Sequence, residues 1–161
     1  MKSIIIYSTK YGSAEKASEL LKENMVGEVE LVNIMKQTVP DIKGYDNVIL
    51  GGSVYIGKIQ KKLTNYINEN IDELLKKRIA LFICSGSLDK KIIQKYIKEL
   101  FNPKLYNKAI CTDTFGYEIC FEKMNFIEKF MMKKMKKSTE SEYCLNKENI
   151  KRFAKIISTN K

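Results

Sequence analysis

The sequence predicts an α/β fold built on a parallel sheet with helices on both faces. Short apolar runs alternate with amphipathic stretches from one end of the chain to the other. The apolar runs are nearly continuous, as is typical of strands that are buried on both faces. With 161 residues, of which 44% are apolar and 30% charged, we expect a single folded domain over 1–161.

The elements follow one another in strand–helix order. Residues 4–7 form an apolar run typical of a buried strand, and residues 14–25 carry apolar side chains at helical spacing, with Ser13 as the expected N-cap. Further strands are predicted at 29–34, 48–50, 79–84 and 109–111, and further helices at 59–75, 92–100 and 150–157. Because parallel strands are connected through crossover helices, this alternation predicts a doubly wound sheet with ligands at the carboxyl ends of its strands.

Composition excludes several classes of active site. The chain has no histidine, so it has no Ser-His or Cys-His dyad and no imidazole-ligated zinc. Its four cysteines form no C-x-x-C pair, which argues against a zinc ribbon and against a disulfide framework. If the protein is an enzyme, we expect a cofactor to supply its chemistry.

The charge favours anionic partners. The 29 Lys and Arg residues against 19 Asp and Glu give a net charge of +10, which suits nucleic acid, anionic lipid or a phosphorylated or carboxylated substrate. No recognised nucleic-acid-binding module is present, so no specific nucleic acid is expected. The apolar runs are too short to span a bilayer and the first residues do not form a signal-peptide core, so we expect a cytoplasmic protein.

The turn between the first strand and the first helix predicts a phosphate site. It reads Ser8-Thr9-Lys10-Tyr11-Gly12-Ser13-Ala14. A loop at this place offers backbone N–H groups, the positive end of a helix and nearby hydroxyls to an anion. It contains neither G-x-G-x-x-G nor G-x-x-x-x-G-K-[ST], so the usual sequence motifs of NAD-binding and ATP-binding sites are absent from this loop. The alternative is a turn that only caps the helix.

The run from Ile5 to Ala14 resembles the phosphate loop of flavodoxins. The resemblance implies FMN as the cofactor, and it places these residues around the FMN phosphate: Thr9, Lys10, Tyr11, Gly12 and Ser13. Ala14 stands where the family prefers Thr, so one hydroxyl contact is absent. The resemblance also implies a three-layer flavodoxin-like sandwich with a five-stranded parallel sheet in the order 2-1-3-4-5 and an insertion after the fifth strand.

Two later loops fall where flavodoxins hold the isoalloxazine ring. The first resembles the second flavin loop, in which Tyr55 would pack on the ring; its residues are Ser53, Val54, Tyr55, Ile56 and Gly57. The second would offer backbone N–H groups to the pyrimidine end of the ring; its residues are Ser85, Gly86, Ser87, Leu88 and Asp89. The alternatives are an exposed loop tyrosine and an Asp-capped turn. No side chain is assigned a catalytic role, and no metal site is expected.

Over the whole chain, the sequence is most similar to the flavodoxin-type, menaquinone-dependent protoporphyrinogen IX dehydrogenases. The similar features are the Ser-Thr-x-x-Gly loop, the Gly-x-Ser-x-x-x-Gly turn from Gly51 to Gly57, and the insertion after the fifth strand. The resemblance implies an enzyme of heme biosynthesis that passes electrons from a porphyrinogen to a quinone or similar acceptor. The alternatives are a one-electron carrier that docks to acidic redox proteins, and a basic surface-binding module with a vestigial flavin site.

The insertion at 116–142 is rich in Met, aromatic and Lys residues. In a helix, its apolar side chains would form one stripe flanked by lysines; the stripe contains Phe126, Ile127, Phe130, Met131 and Met135, and the lysines are Lys129, Lys133, Lys136 and Lys137. The stripe could pack onto the domain. It could also lie on an anionic membrane surface, cover a substrate that carries propionates, or dock an acidic partner. A peripheral position at the inner face of the membrane is therefore one expectation.

Overall fold

The computed structural model describes residues 1–85, 89–119, 126, 127, 129, 130 and 142–159, with the backbone alone at 90, 118, 119, 142 and 143. The strands are β1 (Lys2–Ser8), β2 (Glu28–Asn33), β3 (Asn47–Ser53), β4 (Arg78–Cys84), β5 (Cys111–Thr114), β6 (Gly116–Ile119) and β7 (Glu142–Leu145). The helices are α1 (Ser13–Asn24), α2 (Lys61–Glu69), α3 (Ile71–Leu74), α4 (Lys90–Leu100), α5 (Pro103–Lys108) and α6 (Lys147–Ser158), with a 3₁₀ turn at Ile42–Gly44. Residues 126, 127, 129 and 130 are also helical.

The main sheet has five parallel strands in the order β2-β1-β3-β4-β5, which confirms the predicted topology. The registers place Ile4 beside Val48 and Val48 beside Ile79, so the apolar runs of the three central strands lie side by side. The strands β6 and β7 form a separate antiparallel pair, with Gly116 opposite Leu145.

Apolar side chains fill both faces of the sheet and produce three layers. On one face, the sheet packs against α1 and α6; the Phe82 and Phe115 rings stack 4.5 Å apart, and Phe153 meets Phe115 edge-on at 5.0 Å. On the other face, it packs against the helices from α2 to α5, with Leu63 fully buried. Gly51 permits the close packing of Phe82, since a Cβ at this position would lie 2.0 Å from the Phe82 ring.

The structure differs from the expected elements at four places. The helix expected at 59–75 breaks at Asn70, whose side-chain amide donates to the Tyr66 carbonyl at 2.9 Å and so competes with the backbone for that acceptor. The fifth strand begins at Cys111 rather than at 109, because Ala109 caps α5 and its N–H donates to the Leu105 carbonyl. Neither α5 nor the β6–β7 pair was expected from the sequence.

Among the described residues, no helix has both the length and the apolar character that crossing a bilayer requires.

Candidate functional site at the carboxyl ends of β1, β3 and β4

The three loops proposed from the sequence follow three strands that are neighbours in the sheet. Ser8 at the end of β1 lies beside Gly52 in β3, and Ser53 lies beside Cys84 at the end of β4. The loops that begin at Thr9, Val54 and Ser85 therefore meet at one edge of the sheet. Three of the proposed cofactor residues, Gly86, Ser87 and Leu88, lie outside the described part of the chain.

The first loop turns through a left-handed glycine. Gly12 has φ +106° and ψ −8°, a conformation that other residues rarely adopt, and it precedes the first residue of α1. The Gly12 N–H donates to the Thr9 Oγ1 at 2.9 Å, which closes the turn. The expectation that Ser13 is the N-cap was wrong: Gly12 takes that position, and Ser13 is the first helical residue.

A hydroxyl from the second loop satisfies the start of α1. The Ala14 N–H donates to the Ser53 Oγ at 3.2 Å, and the Ser53 Oγ lies 3.3 Å from the Thr9 Oγ1. A helix N-terminus exposes N–H groups and a partial positive charge. The Ser53 Oγ thus occupies the position from which an oxygen of an anionic ligand would accept a hydrogen bond from the Ala14 N–H. The Thr9 and Ser53 hydroxyls and this N–H converge there.

Buried polarity continues behind this loop. The side chain of Ser8 is fully buried, and its Oγ has no hydrogen-bond partner. Deeper on the α1 side, the Tyr7 hydroxyl donates to the Glu15 carboxylate at 3.4 Å, and the Lys36 ammonium lies 3.2 Å from the same carboxylate. Burial, and then the neighbouring Glu15 charge, raise the pKa of Tyr7 to about 12. The positive charge of Lys36 therefore offsets the negative charge of Glu15 in the first turn of α1.

The second loop is a tight hairpin with an apolar tip. The Tyr55 N–H donates to the Lys58 carbonyl at 2.8 Å, and the Lys58 N–H donates to the Tyr55 carbonyl at 3.1 Å. Both residues between them, Ile56 at φ +48° and Gly57 at φ +69°, have positive φ, as a type I′ turn requires. Ile56 is a β-branched residue in a strained conformation, and 69% of it is exposed. The Val54 N–H donates to the Cys84 carbonyl at 2.8 Å and so fixes the base of this hairpin to β4.

Aromatic rings from the first and second loops meet. The centroids of Tyr11 and Tyr55 lie 5.9 Å apart in an edge-to-face arrangement. The Lys10 ammonium lies 4.2 Å from the Tyr55 centroid and 5.1 Å from that of Tyr11. Tyr55 is half-buried rather than fully exposed, so the site contains an aromatic ring that a planar ligand could contact.

The third loop is held at both ends. The Ser85 N–H donates to the Gly116 carbonyl at 2.8 Å, which connects this loop to β6. The Asp89 carboxylate accepts from the Lys91 and Ile92 N–H groups at 2.8 and 3.3 Å and caps α4, as the Asp-capped-turn alternative anticipated. A contact between Asp89 and a cofactor stays a prediction.

A second cleft, which the sequence did not indicate, runs beside the edge strand β5. It has a volume of about 750 Å³ and lies between α4, β5, β7 and the start of α6. The Arg152 guanidinium lies 2.5 Å from the Asp113 carboxylate, and the Asn149 side chain donates to the same carboxylate at 3.1 Å and to the Thr114 carbonyl at 3.0 Å. The cleft depends on the β6–β7 pair, which no local pattern in the sequence predicts. Across the part of the chain that the structure describes, no group of three or more acidic or cysteine side chains could hold a metal ion.

Solved structures with the same fold include two flavodoxins and a larger oxidoreductase. Flavodoxin 1 from Bacillus cereus is 15% identical, with a TM-score of 0.60 over 97% of this chain and 96% of that one. A Fusobacterium nucleatum flavodoxin bound to flavin mononucleotide is 12% identical, with a TM-score of 0.55 over 98% and 97%. Rubredoxin oxygen:oxidoreductase from Desulfovibrio gigas is 15% identical, with a TM-score of 0.58, and the match covers 98% of this chain but only 35% of that larger one. At these identities, the likeness shows the fold alone.

No curated protein matches this sequence significantly. A family model for the flavodoxin domain, however, matches residues 4–144, which include all three loops of the site. The chain therefore belongs to the flavodoxin domain family.

Proposed function

We propose that this protein binds FMN, with the phosphate at the start of α1 and the flavin ring beside Tyr55. The observation that supports it best is the group of donors at the loop: the Ala14 N–H and the Thr9 and Ser53 hydroxyls converge at a helix N-terminus. This chemistry suits one phosphate group. The F. nucleatum flavodoxin, whose fold this chain shares, is described as bound to flavin mononucleotide. Bound FMN would supply a centre that accepts and donates electrons or hydride.

The residues of the chain would then have distinct tasks. Gly12, with its left-handed conformation, lets the backbone approach the phosphate closely. The Ser53 hydroxyl, which now accepts from the Ala14 N–H, can rotate to donate to a phosphate oxygen while that N–H does the same. The buried Ser8 Oγ adds polarity beneath the loop. Tyr55 offers its ring to the flavin, and Ser85, the first residue of the third loop, follows β4 at the same end of the sheet.

The reaction that we propose is the dehydrogenation of a porphyrinogen-type substrate, with electrons passed to a quinone or a similar acceptor. The net charge of +10 supports an organic substrate that carries carboxylates, and it favours the anionic reduced form of the flavin. Lys10 places part of this charge in the first loop of the site, over the ring of Tyr55. An upward shift of the flavin potential suits a protein that takes electrons from an organic molecule.

Turnover tests this proposal. The purified protein, loaded with FMN, is mixed with protoporphyrinogen IX and a soluble menaquinone analogue under anaerobic conditions, and the fluorescence of the porphyrin product is followed. We expect porphyrin formation that depends on both FMN and the quinone. A Gly12→Val variant, which should not retain FMN, is the control for oxidation that does not need the site. A loaded protein that forms no more porphyrin than this variant would contradict the dehydrogenase proposal.

An electron carrier that docks to acidic redox proteins is the second candidate. It is favoured by the end-to-end structural match with the flavodoxins of B. cereus and F. nucleatum, which share the fold over nearly their whole length. Such a carrier would be reduced by a flavoprotein reductase and reoxidised by a protein acceptor, with rates that fall as salt screens the basic surface. Protein-to-protein transfer without porphyrin formation would select this candidate.

We further propose that the insertion associates with an anionic membrane surface. Its described residues include Phe126, Ile127 and Phe130, which are 86%, 68% and 64% exposed, beside Lys129. Exposed large apolar side chains next to lysines are typical of segments that lie in a bilayer interface. A quinone acceptor would be found there.

Vesicle binding tests this association. Replacing Lys133, Lys136 and Lys137 with Gln should weaken binding to vesicles that contain anionic lipid by about 1 kcal/mol per lysine. The matched control replaces three exposed lysines of α6, Lys147, Lys151 and Lys155, with Gln, which removes the same charge elsewhere. Equal losses in the two triple variants would mean that net charge, not the insertion, determines binding.

A further inference from the structure

The Lys10 side chain joins the two ends of the proposed FMN site. Its ammonium contacts the ring of Tyr55, in the loop proposed to hold the flavin ring, and the ring of Tyr11, in the loop proposed to hold the phosphate. The two rings are themselves in edge-to-face contact at 5.9 Å. The ammonium is thus held between the two loops by aromatic faces, two residues before the left-handed Gly12.

We propose that Lys10 determines the selection of a phosphorylated flavin over the same ring system without phosphate. This inference rests on the proposed FMN site and assigns to Lys10 a part of the specificity that the helix end and the hydroxyls do not supply, namely the disfavouring of riboflavin. A flavin that bridges the first and second loops must share space with the Lys10 ammonium. A lysine ammonium is a mobile point charge on a flexible stem, so it can leave the aromatic rings when a better partner is close.

The two classes of ligand differ in what they offer to that ammonium. A phosphate ester at the start of α1 brings a dianion within a few residues of Lys10, and a charge-assisted contact there replaces the cation–π contacts that are lost. Riboflavin brings only a neutral hydroxyl, so the lost contacts are not replaced. Lys10 therefore strengthens the binding of FMN and weakens that of riboflavin, whereas the helix end and the hydroxyls strengthen the binding of FMN without weakening that of riboflavin.

The experiment measures the dissociation constants of FMN and riboflavin, by flavin fluorescence, for the wild type and for Lys10→Met. Because Lys10 is exposed, the variant should fold, and circular dichroism checks this. We expect Lys10→Met to raise the dissociation constant of FMN by about tenfold or more, as for loss of one charge-assisted contact. The dissociation constant of riboflavin should stay unchanged or fall slightly. The preference for FMN in the wild type should also fall as salt rises, and that of the variant should change less.

Lys58→Met is the matched control. Lys58 is an exposed lysine whose backbone pairs with that of Tyr55. Replacing its side chain with Met therefore removes one positive charge near Tyr55, as Lys10→Met does. It should alter the ratio of the two dissociation constants by no more than about twofold, as expected for a screened surface charge. Equal weakening of FMN and riboflavin by Lys10→Met, or an equal change of the ratio in Lys58→Met, would overturn the assignment to Lys10. A wild type that binds neither flavin would overturn the proposed function and this inference together.

Discussion

Replacing Gly12 separates a phosphate-binding turn from a turn that only starts a helix. Its φ of +106° lies in the region that side chains with a Cβ disfavour, at a cost of about 1–2 kcal/mol, with β-branched residues at the upper end or beyond. For a protein of this size, each kcal/mol lowers the melting temperature by about 2–4 °C. Gly12→Val should therefore lower the melting temperature by roughly 2–8 °C in either case.

The two interpretations differ in ligand binding. If the backbone at Gly12 approaches a phosphate, the added side chain and the altered turn should abolish measurable FMN binding, as followed by the quenching of flavin fluorescence. A turn that only starts α1 would lose stability and nothing else. Titration of the folded variant well below its melting temperature measures the binding effect separately from the loss of stability.

Gly27 provides the control. It has a φ of +99° and precedes β2, at the amino ends of the strands, whereas the site lies at their carboxyl ends. An added Cβ at Gly27 would lie 2.4 Å from the Met1 carbonyl oxygen. Gly27→Val should lose at least as much stability as Gly12→Val while keeping the FMN affinity of the wild type. If Gly12→Val binds FMN as tightly as Gly27→Val does, the phosphate assignment of the first loop is wrong.

Three further predictions concern the frame of the site. The hydrogen bond to Glu30 and, as a smaller cause, burial raise the pKa of Tyr45 from 10.0 to about 12. The protonated phenol therefore contributes stability that is complete below pH 10 and lost as the pH rises through 12. Tyr45→Phe should lower the free energy of unfolding in urea by about 1 kcal/mol at neutral pH and make it fall less steeply above pH 10, and an unchanged slope of this free energy against pH would refute the assignment. Ile56→Asn should raise the free energy of unfolding by roughly 1 kcal/mol by relieving the strained turn, whereas a loss would mean that the isoleucine side chain makes a stabilising contact. Gly51→Ala should lower stability by about 1–3 kcal/mol, because its Cβ would lie 2.0 Å from the Phe82 ring, and a neutral result in thermal melts would show that this ring can move freely.

The sheet could be predicted because each of its central strands is a continuous apolar run. That the proposed loops lie together could be predicted as well, since parallel neighbours such as β1 and β3 bring their following loops together whatever the loops contain. The resemblance of residues 5–14 to one family then identified the cofactor to expect. These inferences use local patterns and one topological rule.

The details of the site depend on contacts between residues far apart in the chain. Ser53 satisfies the Ala14 N–H from 39 positions away, and no local signal marks it as a helix cap. The left-handed Gly12, rather than Ser13, occupies the N-cap because the turn closes on Thr9. The type I′ turn at Ile56 has only one glycine, which makes it a weak sequence signal. The β6–β7 pair joins strands from either side of 120–141, so periodicity could not find it.

Identification of the bound cofactor tests the central claim most directly. The protein is purified after expression with flavin available, its visible spectrum is recorded, and the ligand released by denaturation is identified by mass spectrometry. We predict the absorption bands of an oxidised flavin and one equivalent of FMN per chain. A protein that stays colourless after incubation with FMN, or that releases a different nucleotide, would contradict the assignment of these three loops as a flavin site.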